Sequence, residues 1–322
     1  MAYQEVLAPA TAAGVVDAIR SFAQANGWTV LRNDLVSTSR TVTLKRPETD
    51  HIHVYNTTTN EIRAIGSVDY NGALPPETNP LRGVRARSGL IGNGPYTRMH
   101  LFAADLPAPH IHVVIELTTA GVFRHLSFGM VEKIEPFTGG SYTAASNWNL
   151  DGSPAAPGYN SQNHAMFGRD TLHSSSTDND CIRVDFAADS RTNFWYRFAN
   201  DRIADATVGT ACSGLVHPSS SAVELTGLVG RADNNAFSNR SVLHPFDIKV
   251  NRIGDYWSRI GTFPNVRYCN IFKFAPGDEF TIAGDVWKIF PMARKFSTQL
   301  NVASPVWQAH SNNFAYAYKK VP

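Results

Sequence analysis

The sequence predicts an α+β fold that is mainly β, with an N-terminal helix-plus-sheet domain followed by a β-rich domain of sandwich or barrel type. Two observations lead to this prediction. One segment near the N-terminus has helical periodicity, and most of the remaining chain consists of short runs of strand formers separated by turn residues. With 322 residues, the chain is long enough for two domains or for one large β domain with an insertion.

The predicted helix comes first. Its apolar residues recur at helical spacing and would form one buried face: Ala12, Val15, Val16, Ile19, Phe22 and Ala23. Thr11 is a suitable N-cap, because its hydroxyl can accept a hydrogen bond from an amide of the first turn. The pair Asn26-Gly27 ends the helix, since both residues tolerate the backbone conformation found after a last turn. The apolar face needs a sheet to cover it.

Candidate strands follow the helix and complete an N-terminal α+β region over residues 1–135. They are Trp28–Arg32, Val36–Lys45, His51–Asn56, Glu61–Tyr70, Tyr96–Ala103, His110–Thr118 and Val122–Glu132. The last two are expected to form a hairpin around Thr119-Ala120-Gly121. A stretch rich in Gly, Pro and Arg, from Pro75 to Pro95, is predicted to be a loop.

Residues 136–180 change character and are predicted to form an irregular arm. Gly, Ser, Asn, Asp and Pro dominate from Phe137 to Asp180, where Arg169 is the one basic side chain. Long irregular segments of this kind are often functional. The arm carries scattered aromatic residues that would anchor it on a neighbouring subunit: Tyr142, Trp148, Tyr159 and Phe167.

Strand patterns return over residues 181–322, the predicted C-terminal β-rich region. The candidate strands are Cys181–Phe186, Asn193–Phe198, Ala222–Val229 and Val266–Phe274, and a hairpin made of Glu279–Ile282 and Val286–Phe290. Turn residues at Pro276-Gly277-Asp278 and Gly284-Asp285 delimit this hairpin. Its aromatic surface must be covered by the rest of the chain or by another subunit.

The composition favours a protein that associates with others. Charged residues make up 17% of the chain, against about 25% in an average soluble protein. Aromatic residues make up 11%, and low charge together with many aromatics is typical of interface cores. The net charge of +2 gives no general argument for binding nucleic acid or a membrane surface. We therefore expect the isolated chain to form oligomers.

The three cysteines indicate reduced thiols. Cys181, Cys212 and Cys269 are widely spaced and odd in number, which argues against a disulfide framework and against a cysteine-based zinc site. The first basic residue is Arg20, and no apolar run approaches the ~20 residues of a membrane helix. These features predict a soluble protein that is made in a cytoplasm and has no export signal.

The segment His110-Ile111-His112 with Glu116 has the most enzyme-like pattern. On a strand, these two imidazoles and the carboxylate share one face, as in part of a cupin metal site. The alternative is that Ile111 and its apolar neighbours face the core, while the His/Glu face is the polar side of a half-buried strand. We favour the alternative, because Val114 interrupts the face and Ala104 stands where a cupin has glycine.

Two further groups are weaker candidates. His51 and His53, next to Asp50, form a second pair of histidines. The sequence does not show whether this pair lies close to His110 and His112 in space. Four arginines lie in a stretch without acidic residues, from Asn79 to Ala104, that could bridge subunits or touch DNA: Arg82, Arg85, Arg87 and Arg98. We assign no catalytic, cofactor-binding or metal-binding residue from the sequence, and we expect a protein that is not an enzyme.

Several strings resemble structural proteins from the virions of tailed bacteriophages. They are AIRSFAQANGWTV from Ala18, GVFRHLSFGMVEKI from Gly121, GTFPNVR from Gly261, APGDEFTIAGDVWKIFPMARK from Ala275 and FAYAYKK from Phe314. The resemblance covers the N-terminal, middle and C-terminal parts of the chain.

This resemblance implies a virion subunit of the neck or tail, in a connector, terminator or collar ring. Its partners would be further copies of the chain and neighbouring virion proteins, with DNA near the loop from Arg82 to Arg98. A baseplate or other tail-tip component is the alternative within the virion. A metal-dependent cupin-like or carbohydrate-binding β protein is the alternative of another class.

Overall fold

The fold is mainly β, with one helix near the N-terminus, as the sequence predicts. The computed structural model describes residues 2–7, 9–56, 62–76, 87–91, 95–117, 121–146, 182–186, 195–197, 214–217, 243–252, 256–271, 273–291, 295 and 314–320. The chain begins with β1 (Ala2–Leu7), α1 (Ala12–Ala25), β2 (Thr29–Val36), β3 (Ser39–Lys45), β4 (His51–Asn56), β5 (Ile62–Ser67), β6 (Arg87–Ile91) and β7 (Tyr96–Ala104). It continues with β8 (His110–Leu117), β9 (Phe123–Met130), β10 (Glu132–Lys133), β11 (Gly139–Ala145), β12 (Ile182–Phe186) and β13 (Trp195–Arg197). The last strands are β14 (Gly214–His217), β15 (His244–Arg252), β16 (Tyr256–Asn270), β17 (Glu279–Ile282), β18 (Asp285–Pro291) and β19 (Phe314–Lys320).

These strands form three antiparallel sheets. The N-terminal sheet has the order β2-β3-β4-β5-β6, and the central sheet has the order β1-β7-β8-β9-β11-β12-β13. The C-terminal sheet has the order β14-β15-β16-β19-β18-β17, and β10 pairs with β16 beside it. The central sheet therefore takes strands from both of the predicted domains.

Helix α1 is built as its sequence pattern predicts. All six predicted apolar residues are buried, and the Thr11 hydroxyl accepts a hydrogen bond from the Gly14 amide at 3.1 Å. Asn26 closes the helix, and its amide donates to the carbonyl oxygen of Phe22. The buried face packs with Leu44 and Ile52 of the N-terminal sheet in one core. Within the described ranges, no helix is long and apolar enough to cross a membrane.

The three middle strands of the central sheet, β8, β9 and β11, are buried on both faces. One face packs on the N-terminal sheet and α1 through residues such as Ile111 and Leu126. The other face packs on the C-terminal sheet, where Phe102 and Tyr142 meet Phe263 and other aromatic residues. Nine buried aromatic side chains therefore fill the core between these two layers and are not part of an uncovered interface.

Two predicted irregular segments contain strands. The prediction of an irregular arm from residue 136 is wrong for residues 139–145, because β11 lies inside the central sheet between β9 and β12. Tyr142 is fully buried there and does not anchor an arm on a neighbour. The predicted Pro75 to Pro95 loop contains β6, which pairs with β5. Arm residues 147–180, including Trp148, Tyr159 and Phe167, lie outside the described residues, as does the predicted strand Ala222–Val229.

The predicted C-terminal hairpin is confirmed. Strands β17 and β18 pair in register, and the two residues between them, Ala283 and Gly284, have φ angles of 51° and 85°. Positive φ at both positions is the signature of the type I′ turn that joins twisted strands. The preceding turn at Pro276-Gly277 is closed by the amide of Asp278, which donates to the Ala275 carbonyl at 3.1 Å.

Candidate functional site

The His110 and His112 side chains lie in the layer between the central and C-terminal sheets. Strand β8 directs Ile111 and Val113 into the core beneath the N-terminal sheet, as predicted. Its opposite face, however, is also covered, and His110 and His112 have no exposed surface. The prediction that this face is the polar side of a half-buried strand is wrong, because the C-terminal sheet packs on it.

Hydrogen bonds occupy both ring nitrogens of His112. Nε2 lies 2.8 Å from the carbonyl oxygen of Pro264, which can only accept, so Nε2 carries the proton. Burial holds the His112 pKa well below its ordinary value, and the ring is neutral. Nδ1 therefore accepts from the Ser127 hydroxyl at 2.6 Å, and Ser127 in turn accepts from the Tyr142 hydroxyl at 2.8 Å. The hydrogen bonds thus run from Tyr142 through Ser127 and His112 to the backbone carbonyl of Pro264 in the C-terminal sheet.

His125, on the adjacent strand β9, repeats the arrangement. Its Nε2 donates to the carbonyl oxygen of Pro291 at 2.9 Å, and its Nδ1 accepts from the Tyr318 hydroxyl at 2.7 Å. Burial, with a smaller effect of the nearby Arg124 charge, lowers the His125 pKa to about 3, although the hydrogen bond to Pro291 acts in the opposite direction. Burial also raises the pKa of Tyr318 well above its ordinary value, so this hydroxyl keeps its proton.

His110 is tied to the turn that precedes it. Its Nδ1 donates to the Ala108 carbonyl at 2.7 Å, and its Nε2 lies 3.5 Å from the Asn265 amide nitrogen. Burial lowers the His110 pKa to about 4. The rings of His110 and His112 are 4.6 Å apart, yet Glu116 lies at the other end of β8 and is partly exposed.

This geometry does not favour a metal site. A ligating histidine needs a free ring nitrogen, whereas both nitrogens of His112 are engaged in hydrogen bonds. Within the described ranges, no group of three or more His, Cys, Asp and Glu residues is arranged to hold a metal ion. The three histidines instead connect two sheets.

The second histidine pair lies elsewhere. His53 is fully buried on the face of the N-terminal sheet opposite to Ile52 and Val54, and its nitrogens bond the hydroxyls of Thr43 at 3.0 Å and Ser67 at 2.7 Å. Burial lowers the His53 pKa to about 3. The core beneath the N-terminal sheet separates this pair from His110 and His112, so the two pairs do not meet.

The arginines do not form one loop. Arg98 is on β7, where its guanidinium pairs with the Glu5 carboxylate at 3.0 Å. Arg87 is the first residue of β6, and Arg82 and Arg85 lie outside the described residues. The DNA contact stays a prediction.

A charged cluster that the sequence did not indicate spans the edges of the central and C-terminal sheets. We call it the seam cluster, and it consists of Tyr3, Glu5, Arg98, His100, Glu279, Lys288 and Lys320. Glu5 accepts from the Tyr3 hydroxyl at 2.9 Å and lies 3.9 Å from the Lys288 ammonium. Glu279 pairs with Lys288 at 3.2 Å and with Lys320 at 2.9 Å. The cluster thus joins β1 and β7 to β17, β18 and β19.

The protonation states in the seam cluster suit ion pairing. Burial lowers the His100 pKa to about 4, so the ring is neutral at pH 7 and its Nδ1 can donate to the Tyr3 oxygen at 3.0 Å. Burial opposes ionisation of Glu5, but the Tyr3 hydrogen bond and neighbouring basic groups outweigh it and lower the Glu5 pKa. Burial and the Glu5 carboxylate raise the Tyr3 pKa. The cluster holds two carboxylates ionised between cations.

Cys269 is the one cysteine in the described part of the chain. It is buried on the outer side of the C-terminal sheet, and burial raises its thiol pKa, so the reactive thiolate is disfavoured. Cys181 and Cys212 lie outside the described residues.

The sequence matches no protein-family model, and no curated protein is significantly similar to it.

Proposed function

We propose that this chain is a structural subunit of a tailed-phage virion, forming part of the neck or tail as a connector, terminator or collar ring. The observation that carries the proposal is the use of the buried polar groups. His112 and His125 use both ring nitrogens in hydrogen bonds inside the core. Three of these four bonds cross from the central sheet to the C-terminal sheet, and the fourth joins His112 to Ser127 on the neighbouring strand β9. Such use is typical of a scaffold.

The strings that resemble phage virion proteins also support the proposal, because several of them are neighbours in the fold. Gly261–Arg267 is part of β16, and Phe314–Lys320 forms β19, which pairs with β16. The hairpin β17–β18 continues the same sheet. The string from Gly121 includes β9, whose His125 contacts this sheet. Four of the five strings therefore contribute to one packed unit, whereas the string from Ala18 lies in α1 and the start of β2.

The test is to locate the protein in purified particles. We expect mass spectrometry of gradient-purified virions, washed with high salt, to find the chain at a fixed copy number relative to the major capsid protein. Immunogold labelling then separates a neck or tail ring from the baseplate alternative. Absence from washed particles would overturn the proposal.

Elemental analysis of the purified chain tests the alternative of another class. One transition-metal ion per chain that survives dialysis against a chelator, and that is lost in His110→Ala with His112→Ala, would favour the metal-dependent reading. We expect no stoichiometric metal, because the ring nitrogens of His112 are already hydrogen-bonded.

A further inference from the structure

Strand β2 is an edge strand with an unusual concentration of exposed apolar residues. It pairs with β3 on one side, and among the described residues no strand pairs with its other side. Leu31, Leu35 and Val36 are 42%, 56% and 72% exposed, and they are three of the seven exposed large hydrophobic residues of the described chain. Exposed edges with apolar side chains are templates for pairing with another chain.

The hairpin geometry shows which backbone groups face the free edge. A two-residue loop separates Val36 from Ser39, so these residues form a hydrogen-bonded pair. From there, non-hydrogen-bonded and hydrogen-bonded pairs alternate along the hairpin. Asn33 and Leu35 therefore direct their N–H and C=O groups away from β3. The Arg40 amide agrees with this alternation, because it donates to the side chain of the last residue of β4 instead of to β2.

We propose that β2 is a self-association edge, at which two copies of this chain pair antiparallel about a two-fold axis at Asn33. The backbone of Asn33 would then exchange two hydrogen bonds with Asn33 of the partner subunit. Together the two N-terminal sheets would form one continuous sheet of about ten strands, twice the five of one copy.

Charge complementarity selects this register. With the axis at Asn33, Arg32 lies opposite Asp34 of the partner subunit, and Asp34 lies opposite the partner's Arg32. Within one chain these two side chains already form an ion pair, with Nε and Oδ2 2.6 Å apart. In the pair of copies, four charges of alternating sign would lie side by side.

The neighbouring registers are unfavourable. An axis at Arg32 would place two guanidinium groups opposite each other, and an axis at Asp34 would do the same with two carboxylates. The Asn33 axis also brings Leu35 beside Leu31 of the partner subunit, which covers two of the exposed apolar side chains. Leu31 lies in the β-bulge between Val30 and Arg32, where the strand bends.

This inference does not depend on the virion proposal. An isologous contact joins copies in pairs, whereas a ring needs a head-to-tail contact through two different surfaces. A chain that pairs through β2 and is absent from virions would support the inference and overturn the proposed function, so the two can fail separately.

A charge-swap experiment tests the contact. Analytical ultracentrifugation of the full chain should show reversible pairing that Arg32→Asp alone and Asp34→Arg alone each weaken by about tenfold or more, since like charges then oppose each other at two places. Mixing the two variants should restore pairing to near the wild-type level, because every opposed pair is again of opposite sign. Thermal melting of each variant controls for loss of fold.

Disulfide cross-linking tests the register. Asn33→Cys should give a linked pair under mild oxidation, because residues on the axis have Cα atoms about 5.5 Å apart. Leu35→Cys is the matched control and should stay unlinked, because two such residues would be about 13 Å apart. The wild type under the same oxidation controls for its own cysteines. A wild-type monomer at all concentrations, no rescue on mixing, or equal linking of both cysteine variants would each overturn the proposal.

Discussion

His112 on the central sheet donates a hydrogen bond from Nε2 to the carbonyl oxygen of Pro264 on the C-terminal sheet, at 2.8 Å. His125, one strand away, makes the corresponding bond to Pro291 at 2.9 Å. Two adjacent strands of one sheet are thus tied to two different strands of another. Because directional bonds fix relative position as apolar contacts do not, these histidines set the alignment of the two layers.

The first prediction concerns His112→Phe. Phenylalanine fills the space, but it leaves the Ser127 hydroxyl and the Pro264 carbonyl without their partner inside the core. We expect the free energy of unfolding to fall by about 2–4 kcal/mol in urea denaturation, the cost of unmet buried polar groups. The control, Glu116→Gln on the same strand, should change it by less than about 0.5 kcal/mol. Equal effects of the two changes would contradict this account.

The sequence pattern alone predicts that the histidine face of β8 is exposed to solvent. In that case, His110→Ala combined with His112→Ala would leave the fold largely intact. Both side chains are fully buried, so we now expect this double variant to unfold at a markedly lower temperature than the wild type.

The second prediction concerns acid. Burial places the pKa of His125 at about 3 and that of His110 at about 4, below the value of about 6.5 in an unfolded chain. Between these values the unfolded chain binds protons that the folded chain does not. The contribution of these two neutral histidines to the free energy of unfolding is therefore fully present above pH 6.5. It is lost as the pH falls towards 4 for His110 and towards 3 for His125.

His125→Gln isolates one of these groups. Glutamine can donate and accept as the neutral ring does, but it does not titrate. Between pH 6 and pH 5, the free energy of unfolding of the variant should fall less steeply than that of the wild type, by about 1.4 kcal/mol per pH unit. The carboxyl groups also titrate in this pH range, but they are the same in both proteins, so their contribution cancels in this comparison. Parallel pH dependences would show that His125 is not held neutral in the fold.

The elements of the fold were largely predictable from local patterns. Helix α1 and the hairpin β17–β18 carry complete signals, in a periodic apolar face with caps and in paired strands with turn residues. Strand β11 was missed, because Gly139-Gly140-Ser141 has the composition of a loop. Its hydrogen bonds come from β9 and β12, so the tertiary environment overrides the local preference.

The roles of the candidate residues were not predictable. A strand pattern shows that His112 and Ile111 face opposite ways, but it cannot show that a second sheet covers the histidine. The covering residue Pro264 is 152 positions away along the chain. In the seam cluster, Glu5 meets Lys288, and no local motif connects residues from opposite ends of the sequence.

The third prediction concerns the seam cluster. Glu279→Gln removes the charge that pairs with Lys288 and Lys320, and it should lower the free energy of unfolding by up to about 1 kcal/mol at low salt. The loss should nearly vanish at 1 M NaCl, because the partly exposed charges are screened. Glu48→Gln, in an exposed turn, is the control and should have little effect at either salt concentration. A loss that is independent of salt would indicate a packing role.

The fourth prediction compares Gly121, two residues before β9, with Gly129, the last residue but one of β9. Both have positive φ, 75° at Gly121 and 145° at Gly129, so alanine is strained at either position. At Gly121 a Cβ atom would have no neighbour within 4 Å, whereas at Gly129 it would lie 2.3 Å from the Pro109 carbonyl oxygen. Gly121→Ala should therefore cost about 1–2 kcal/mol in the free energy of unfolding.

Gly129→Ala should cost clearly more, or prevent folding, because the clash is with backbone and not with a side chain that can turn away. The Met130 amide donates to the same Pro109 carbonyl at 2.8 Å, so the chain before β8 cannot retreat without breaking that bond. Gly129 also lies opposite His110 in the neighbouring strand, and an added Cβ atom at Gly129 would lie 2.6 Å from the Cα atom of His110. Urea denaturation of both variants measures the difference. Similar costs of the two changes would mean that β9 approaches His110 less closely than these distances indicate.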